Sequence, residues 1–440
     1  MPGTRSGDSG ATMVMMASSR PRRRIASALT FVCALLAASC TSEGASSPSS
    51  TASPSSTVAP SPTVTLGDLA GRIVVHTDDG SLVVIEPDGA NPIVVADGTQ
   101  GRHSQPTWSP DAASIAWASF DAEGPNVTVH RLDSEPNLIA PLGTPPFYLY
   151  WAPTSASIAM LRPVAGSIEQ SLLTIETGDV EPLGVGQPFY FVWEESGDAL
   201  IAAVNGESLI RVLVDGEIAY ESLQGNFPLA QFQTPAVLAS DNIVVPVEQP
   251  DGTVIAQGPP GNLTPLATIT EPVSLGLSPN GQRLAVLPFQ TGTAPESPMV
   301  EVVFQGSEVA LPSGRVSIID LDSGAIQTLA DTDVLTMNWS PDSSTVAALR
   351  RLDEGLLEWV FHGDTVRRSS AFAPTARFIQ NYLAFADQYN HSSTWWSPDS
   401  QAFVWTAIDG EDNQVWVDVL SDDAPATVVA EGDVAFWSPG

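Results

Sequence analysis

Lysine is absent from the 440 residues, so all seventeen basic side chains are arginines, set against fifty Asp and Glu for a formal charge of −33. A nucleic-acid binder needs a cationic stripe to displace phosphate counterions, and this chain supplies none. The same deficit excludes a polybasic membrane-surface mode and a polyanionic ligand. Cysteine is limited to Cys33 and Cys40, which rules out a disulfide framework. The five histidines, His76, His103, His130, His362 and His391, show no metal-ligand spacing and are expected on the rim or surface. Asp409-Gly410-Glu411-Asp412-Asn413 has calcium-like composition but lacks the downstream bidentate glutamate, so it reads as a hairpin turn. No Gly-x-Ser-x-Gly elbow occurs. No catalytic or metal-ligating set is legible, and no cofactor is implied. What the chain does have is 43% hydrophobic residues, with eleven Trp and fifteen Phe, which is the composition of a folded protein.

The front of the chain reads as an address. Arg20, Arg22, Arg23 and Arg24 precede a short apolar stretch from Ile25 to Ala38, too short to span a bilayer as a permanent helix. It ends in Ala37-Ala38-Ser39 before Cys40. Small residues ahead of a cysteine resemble the lipobox of bacterial lipoproteins, which implies cleavage after residue 39, lipidation of Cys40 and anchoring on the extracytoplasmic side of the cell membrane. Two or three acyl chains hold stably where one does not. Residues 40–66 add Ser, Thr, Pro and Ala with few large apolar side chains, an extended tether. Loss of residues 1–39 removes five arginines and one aspartate, leaving a mature charge of −37.

From residue 67 a unit recurs. Trp108-Ser-Pro-Asp precedes Ser114-Ile-Ala-Trp117, and Trp151-Ala-Pro-Thr precedes Ser157-Ile-Ala-Met160. Trp193, Leu277, Trp339, Trp396 and Trp437 begin further copies, with a degenerate one near Ala236. The anchors are spaced by 43, 42, 43, 41, 62, 57 and 41 residues. A period near 42, built of short alternating runs and Gly/Pro/Asp turns, predicts an all-β fold: a single β-propeller of four-stranded antiparallel blades over 67–440. Eight blades follow from the anchors, or seven if the copy near Ala236 forms none. The segment ending at Trp437 is expected to be the innermost strand of a blade whose other strands come from Arg72–His76, Ser81–Ile85 and Pro92–Val95, so that the two chain ends close the ring. Trp108, Trp151, Trp193, Trp339, Trp396 and Trp437 are expected to be structural anchors packed between blades.

These repeats resemble the TolB-type propeller repeat over essentially all of 68–440. The resemblance implies the fold and little about function. Tol-associated proteins carry a second domain that this sequence lacks, so a Tol role is not implied. Propeller peptidases add a hydrolase domain for which there is no room.

Two steps run long, by roughly twenty and fifteen residues. Strand parity places both insertions, Pro288 to Gly314 and Ala373 to Ser392, on one face, where loops on a rigid scaffold tend to carry function. In the second, Phe378, Tyr382, Leu383 and Phe385 form an apolar stripe packed on the rim. The run Asp387, Gln388, Tyr389, Asn390, His391 and Ser392 then leads into the channel mouth. Phe147, Tyr148, Phe189, Tyr190 and His103 enter inner strands at the same face. This ring of aromatic and polar residues is the candidate binding face, suited to a peptide, glycan or protein loop.

The reading of function is a membrane-anchored extracytoplasmic binding or scaffold module for an envelope protein or peptide. The alternative is a propeller enzyme or binding protein that takes a neutral glycan or peptide at the channel mouth, with His103 and His391 supplying a base.

Overall fold

A computed structural model describes residues 64–440 apart from 188, 206–207, 226–233, 239–241, 250–251, 270, 272, 289–299, 305–306, 312–313 and 422–423. The signal sequence, Cys40 and nearly all of the tether lie outside the described residues. The rest forms an eight-bladed β-propeller of antiparallel blades. Blade 1 joins both ends of the chain: Val434–Trp437 is innermost, followed by Ile73–His76, Leu82–Ile85 and Ile93–Ala96. Its closing register pairs Ile73 with Trp437 and His76 with Val434. The inner strands of blades 2 to 7 are Arg102–Trp108, Tyr148–Trp151, Phe189–Trp193, Ala236–Val237, Val273–Leu277 and Val334–Trp339. The weak copy is therefore a real fifth blade, its inner strand cut to two residues.

Blade 8 departs from the pattern. Its regular strands are Ala402–Asp409, Asp412–Val419 and Thr427–Glu431. The innermost position is held by residues 394–396 through isolated bridges, Trp396 to Phe403 and Thr394 to Trp437. Gly410 takes φ +67° in the two-residue turn where Asp409 pairs with Asp412, so that acidic stretch is a hairpin tip.

Burial follows position in the blade. Second strands are covered on both faces over most of their length and read as largely apolar runs, as in Ile73–His76 and Ala199–Val204. Outermost strands are edges and expose single apolar residues, among them Val94, Ile139, Val185 and Val366. The anchor tryptophans are all buried, at 8% exposure or less. Four of them reach back one blade: the indole N–H of Trp108 donates to Phe436 O (3.3 Å), Trp151 to Thr107 O (3.3 Å), Trp193 to Tyr150 O (3.1 Å) and Trp339 to Gly276 O (2.8 Å). Each acceptor immediately precedes the anchor of the blade before.

The turn after the anchor is locked by its own side chains. Ser109 Oγ accepts from Ser114 N–H and donates to Asp111 Oδ1, and Ser340 repeats this with Thr345 and Asp342. Neighbouring turns are stitched together where Asp342 N–H donates to Ser400 Oγ (3.0 Å) and Asp111 N–H to Ser155 Oγ (3.2 Å). Both of these serines sit in the left-handed region.

Deleting residues 431–440 is expected to abolish the cooperative urea transition. It removes a four-residue strand with every side chain buried, and losing one large buried aromatic already costs about 3–5 kcal/mol. Trp151→Phe is expected to lower stability by about 1–3 kcal/mol, because it leaves Thr107 O without its donor. Chemical denaturation monitored by circular dichroism measures both.

Candidate functional site

The two insertions occupy the same face. The first contains a hairpin, Val300–Phe304 paired with Ser307–Leu311, which touches the Asp353–Gly355 turn between the second and third strands of blade 7. The second insertion does not stop at the rim. It starts at the edge of blade 7, crosses to blade 1 and descends into the centre of the ring.

Its path is fixed at each step. Thr375 Oγ1 donates to Asp433 O (2.5 Å) and Arg377 Nε to Asp433 Oδ2 (2.8 Å), which ties the start to blade 1. Short helical turns follow at Phe378–Tyr382, Leu383–Phe385 and Ala386–Tyr389. Tyr382 packs at a tilt against Phe436 (4.9 Å between centroids) and Tyr389 (5.2 Å). Tyr389 donates its hydroxyl to Phe147 O, and Tyr148 donates its own to Gln388 O (2.9 Å). Asn390 Nδ2 donates to Met337 O (2.8 Å) on blade 7, and Thr107 Oγ1 of blade 2 donates to Ser392 O (2.6 Å). His391 lies against Tyr150 of blade 3, 6.1 Å between rings. One short segment thus bonds to inner strands of blades 2, 3 and 7 and packs on blade 1. It is a plug.

This placement corrects the expected binding face. Tyr148, Phe189, Tyr190, Tyr382, Gln388 and Tyr389 are buried, while Phe147, Asp387, His391 and Ser392 are half-buried. The aromatics that seemed to ring an open mouth are consumed in seating the plug, because a wide ring leaves a void that water fills less favourably than apolar side chains do. Of the expected rim stripe, Phe378, Tyr382 and Leu383 turn inward, and Phe385 is left 49% exposed.

The histidines also sit differently from expectation. His76 is buried in blade 1 with neither ring nitrogen bonded, and burial pushes its pKa down to about 3. His103 is bonded through both nitrogens, Nδ1 with Ser119 Oγ (2.9 Å) and Nε2 with Asp97 O (3.1 Å). The carbonyl can only accept, so Nε2 carries the proton and Nδ1 accepts from the serine. Neither nitrogen is available as a base, and His103 and His391 line separate cavities. The sequence pairing of these two residues is not realised.

Polar atoms around the plug are incompletely matched. Asp387 Oδ2, Gln388 Nε2 and Asn390 Oδ1 are enclosed without a hydrogen-bond partner. Burial pushes the Asp387 carboxyl up to about 7 and the His391 imidazole down to about 4. Beside the plug, a cavity of about 210 Å³ is lined by Thr107, Tyr150, Asn390, His391, Ser392 and Thr394 together with the anchors Trp108, Trp151 and Trp437. Among the described residues no group of three or more His, Cys, Asp or Glu converges as a metal site.

No known protein family and no curated protein matches the sequence. Solved structures do match in shape. Dihydro-heme d1 dehydrogenase NirN in complex with DHE is similar over 87% of this chain and 77% of its own, with a TM-score of 0.54 and 16% identity. A structure of the eukaryotic initiation factor matches 84% of this chain and 98% of its own, with a TM-score of 0.50 and 13% identity. TolB from Acinetobacter baumannii matches 60% of this chain and 65% of its own, with a TM-score of 0.34 and 18% identity. At such identities the likeness extends to the propeller fold alone. Chemistry has to come from the residues.

The plug carries a pH signature with a definite sign. The folded Asp387 carboxyl titrates near 7 and the unfolded one near 3.8, so its unfavourable charge is absent at pH 4 and fully present at pH 8. Asp387→Asn is therefore expected to stabilise the protein at pH 8, by about 1–3 kcal/mol after allowance for partial solvent contact, and to be neutral near pH 4. His391 has the opposite sense: its stabilising neutral form is kept above pH 6.5 and lost as pH falls toward 4. Urea titrations of Asp387→Asn and His391→Ala across this range read the two slopes separately.

Proposed function

We propose that this chain is a lipid-anchored, extracytoplasmic propeller that serves as a binding or scaffold module for an envelope protein or peptide. The observation that carries the reading is the plug. Residues 387–392 fill the centre of the ring on the insertion face, so that face offers a closed platform with clefts beside it instead of a path to a buried reaction centre. Exposed aromatics stand on or near that platform, Phe385 at 49% and Phe120 at 53%, the type of residue that anchors protein contacts. Cys40 after Ala37-Ala38-Ser39, with the Ser/Thr/Pro tether, supports attachment to a membrane with the propeller held away from it.

A second reading is favoured by the 210 Å³ cavity, whose walls are hydroxyl, amide and imidazole groups among indole faces. These surroundings suit a small neutral polar ligand such as a glycan unit or peptide end. With His103 engaged elsewhere, binding fits this cavity better than hydrolysis or elimination.

Photo-crosslinking in intact cells separates the readings. A crosslinker at Phe385 is expected to trap a defined partner, while one at Val428 on the outer edge of blade 8 traps none. Cys40→Ser is expected to shift the protein from the membrane to the soluble fraction and to weaken the Phe385 crosslink several-fold. Equal labelling from Phe385 and Val428 would count against the platform reading. Saturable binding of neutral oligosaccharides, lost in His391→Ala, would favour the second.

A further inference from the structure

A cleft of about 430 Å³ opens beside the plug between blade 2 and the arm of the second insertion, lined by Arg102, His103, Ser104, Ser119, Phe120 and Arg377 along with Ala118 and Pro145. Its charge is the reverse of the chain's. Arg102 is exposed and makes neither an ion pair nor a side-chain hydrogen bond among the described residues. Arg377 gives Nε to Oδ2 of Asp433, whose other oxygen accepts from Asn413 Nδ2 (2.7 Å), and among the described residues the two terminal guanidinium nitrogens of Arg377 have no bonded partner. Asp121, which lines a neighbouring hollow together with Arg102, accepts from Asn126 Nδ2 (2.9 Å) and Glu123 N–H (3.0 Å). His103, with both nitrogens engaged, offers the cleft only its ring face. His76, buried behind and near enough to feel Arg377 and His103, is held neutral by burial and adds no charge.

We propose that this cleft binds a single carboxylate carried on an apolar group, as at the C-terminus of a peptide ending in an aliphatic residue, with Arg102 and Arg377 as its cationic jaws. Guanidinium forks match a carboxylate two bonds at a time. Phe120 and Pro145, both exposed, supply an apolar wall for the attached side chain. The surrounding field selects against greater charge: a chain at −33, or −37 once processed, repels a dianion more than a monoanion, so phosphate and sulfate are disfavoured at the same guanidiniums. The inference rests on the peptide-binding reading above and names what part of the peptide is held.

The test uses the folded chain from residue 40 onward and titrates it with N-acetyl-leucine, N-acetyl-leucinamide and inorganic phosphate, following binding by isothermal calorimetry and His103 ring resonances by NMR. Saturable millimolar binding of N-acetyl-leucine is expected, at least tenfold weaker in Arg102→Gln, with no saturation by the amide. Equal binding of the amide, stronger binding of phosphate, or an Arg102→Gln variant that binds N-acetyl-leucine as the parent does would overturn the proposal. Arg102 is the residue substituted because it holds nothing in place, whereas Arg377 anchors the plug arm. A Phe385 crosslink that survives Arg102→Gln unchanged would sink the carboxylate cleft and leave the platform standing. Arg102-dependent binding of N-acetyl-leucine with no crosslinked partner would do the reverse.

Discussion

The structure depends on a buried indole having to find an acceptor in the preceding blade. An anchor tryptophan that packs at a blade interface gains by bonding its N–H and otherwise loses roughly the free energy of desolvating it, a cost that Trp117, Trp405 and Trp416 carry elsewhere in the blades. Four anchors meet the requirement with the carbonyl one residue before the neighbouring anchor. That geometry fixes the rotation between neighbours at four of the eight blade interfaces, while blades 5 and 6 carry Ala236 and Leu277 at the anchor and rely on packing instead. Where it fails, the architecture changes. Trp396 has an enclosed indole nitrogen with no partner, and Trp437 sends its N–H to Ala70 O (2.8 Å) instead of to blade 8. At this seam the backbone takes over, with Trp437 N–H donating to Thr394 O (2.8 Å).

The plug follows from the same seam. Blade 8 lacks a regular inner strand because the chain that would supply it arrives from the centre of the ring and not from the rim. A ring of eight blades encloses a wider centre than a ring of fewer, and backbone placed there must be fully bonded or wet. The main chain of the segment accepts from Tyr148 and Thr107, and its Tyr389 and Asn390 side chains donate to Phe147 and Met337, so that four inward bonds hold it. What remains unmatched is side-chain chemistry, at Asp387, Gln388 and Asn390. The scaffold is satisfied, and the loose polar groups gather where an occupant could meet them.

Much of the fold was legible because its determinants are local and repeated. The Trp-Ser-Pro-Asp turn bonds within itself, so each copy announces a strand end, and the short apolar runs over residues 72–95 supplied the three strands that the Trp437 copy needed. Parity placed both insertions on one face by counting alone. The destination of the second insertion was not legible in this way. Asp387-Gln388-Tyr389-Asn390-His391 has the polarity of a surface loop, and nothing local distinguishes a polar run facing water from one whose main chain is bonded by distant tyrosine and threonine hydroxyls. Pro146-Phe147-Tyr148 held the missing half of the signal. Its tyrosine serves as a donor to a segment 240 residues away, a relation that becomes visible only when the ring is closed.

The absence of lysine has a physical counterpart in the way the blades are tied. In blade 7, Arg350 and Arg368 both bridge Asp331 and Glu358, with all four contacts at 3.0 Å or less, linking the second, third and fourth strands. Burial works against the Asp331 carboxylate, yet Arg368, His362 and Arg350 hold its pKa below the ordinary value. A forked cation can serve two acids at once, which an ammonium point charge on a flexible stem does less well. In blade 3, Arg162 ties Glu169 on the neighbouring strand, and in blade 4 Arg211 serves both Glu194, in the turn after the inner strand, and Glu221 on the outermost strand. With so few cations in so acidic a chain, each arginine placed this way cancels local repulsion where strands must pair. An arginine left outside any such tie, at the edge of a cleft, therefore forgoes a stabilising use, and that makes Arg102 a better marker of recognition here than it would be in a protein rich in lysine.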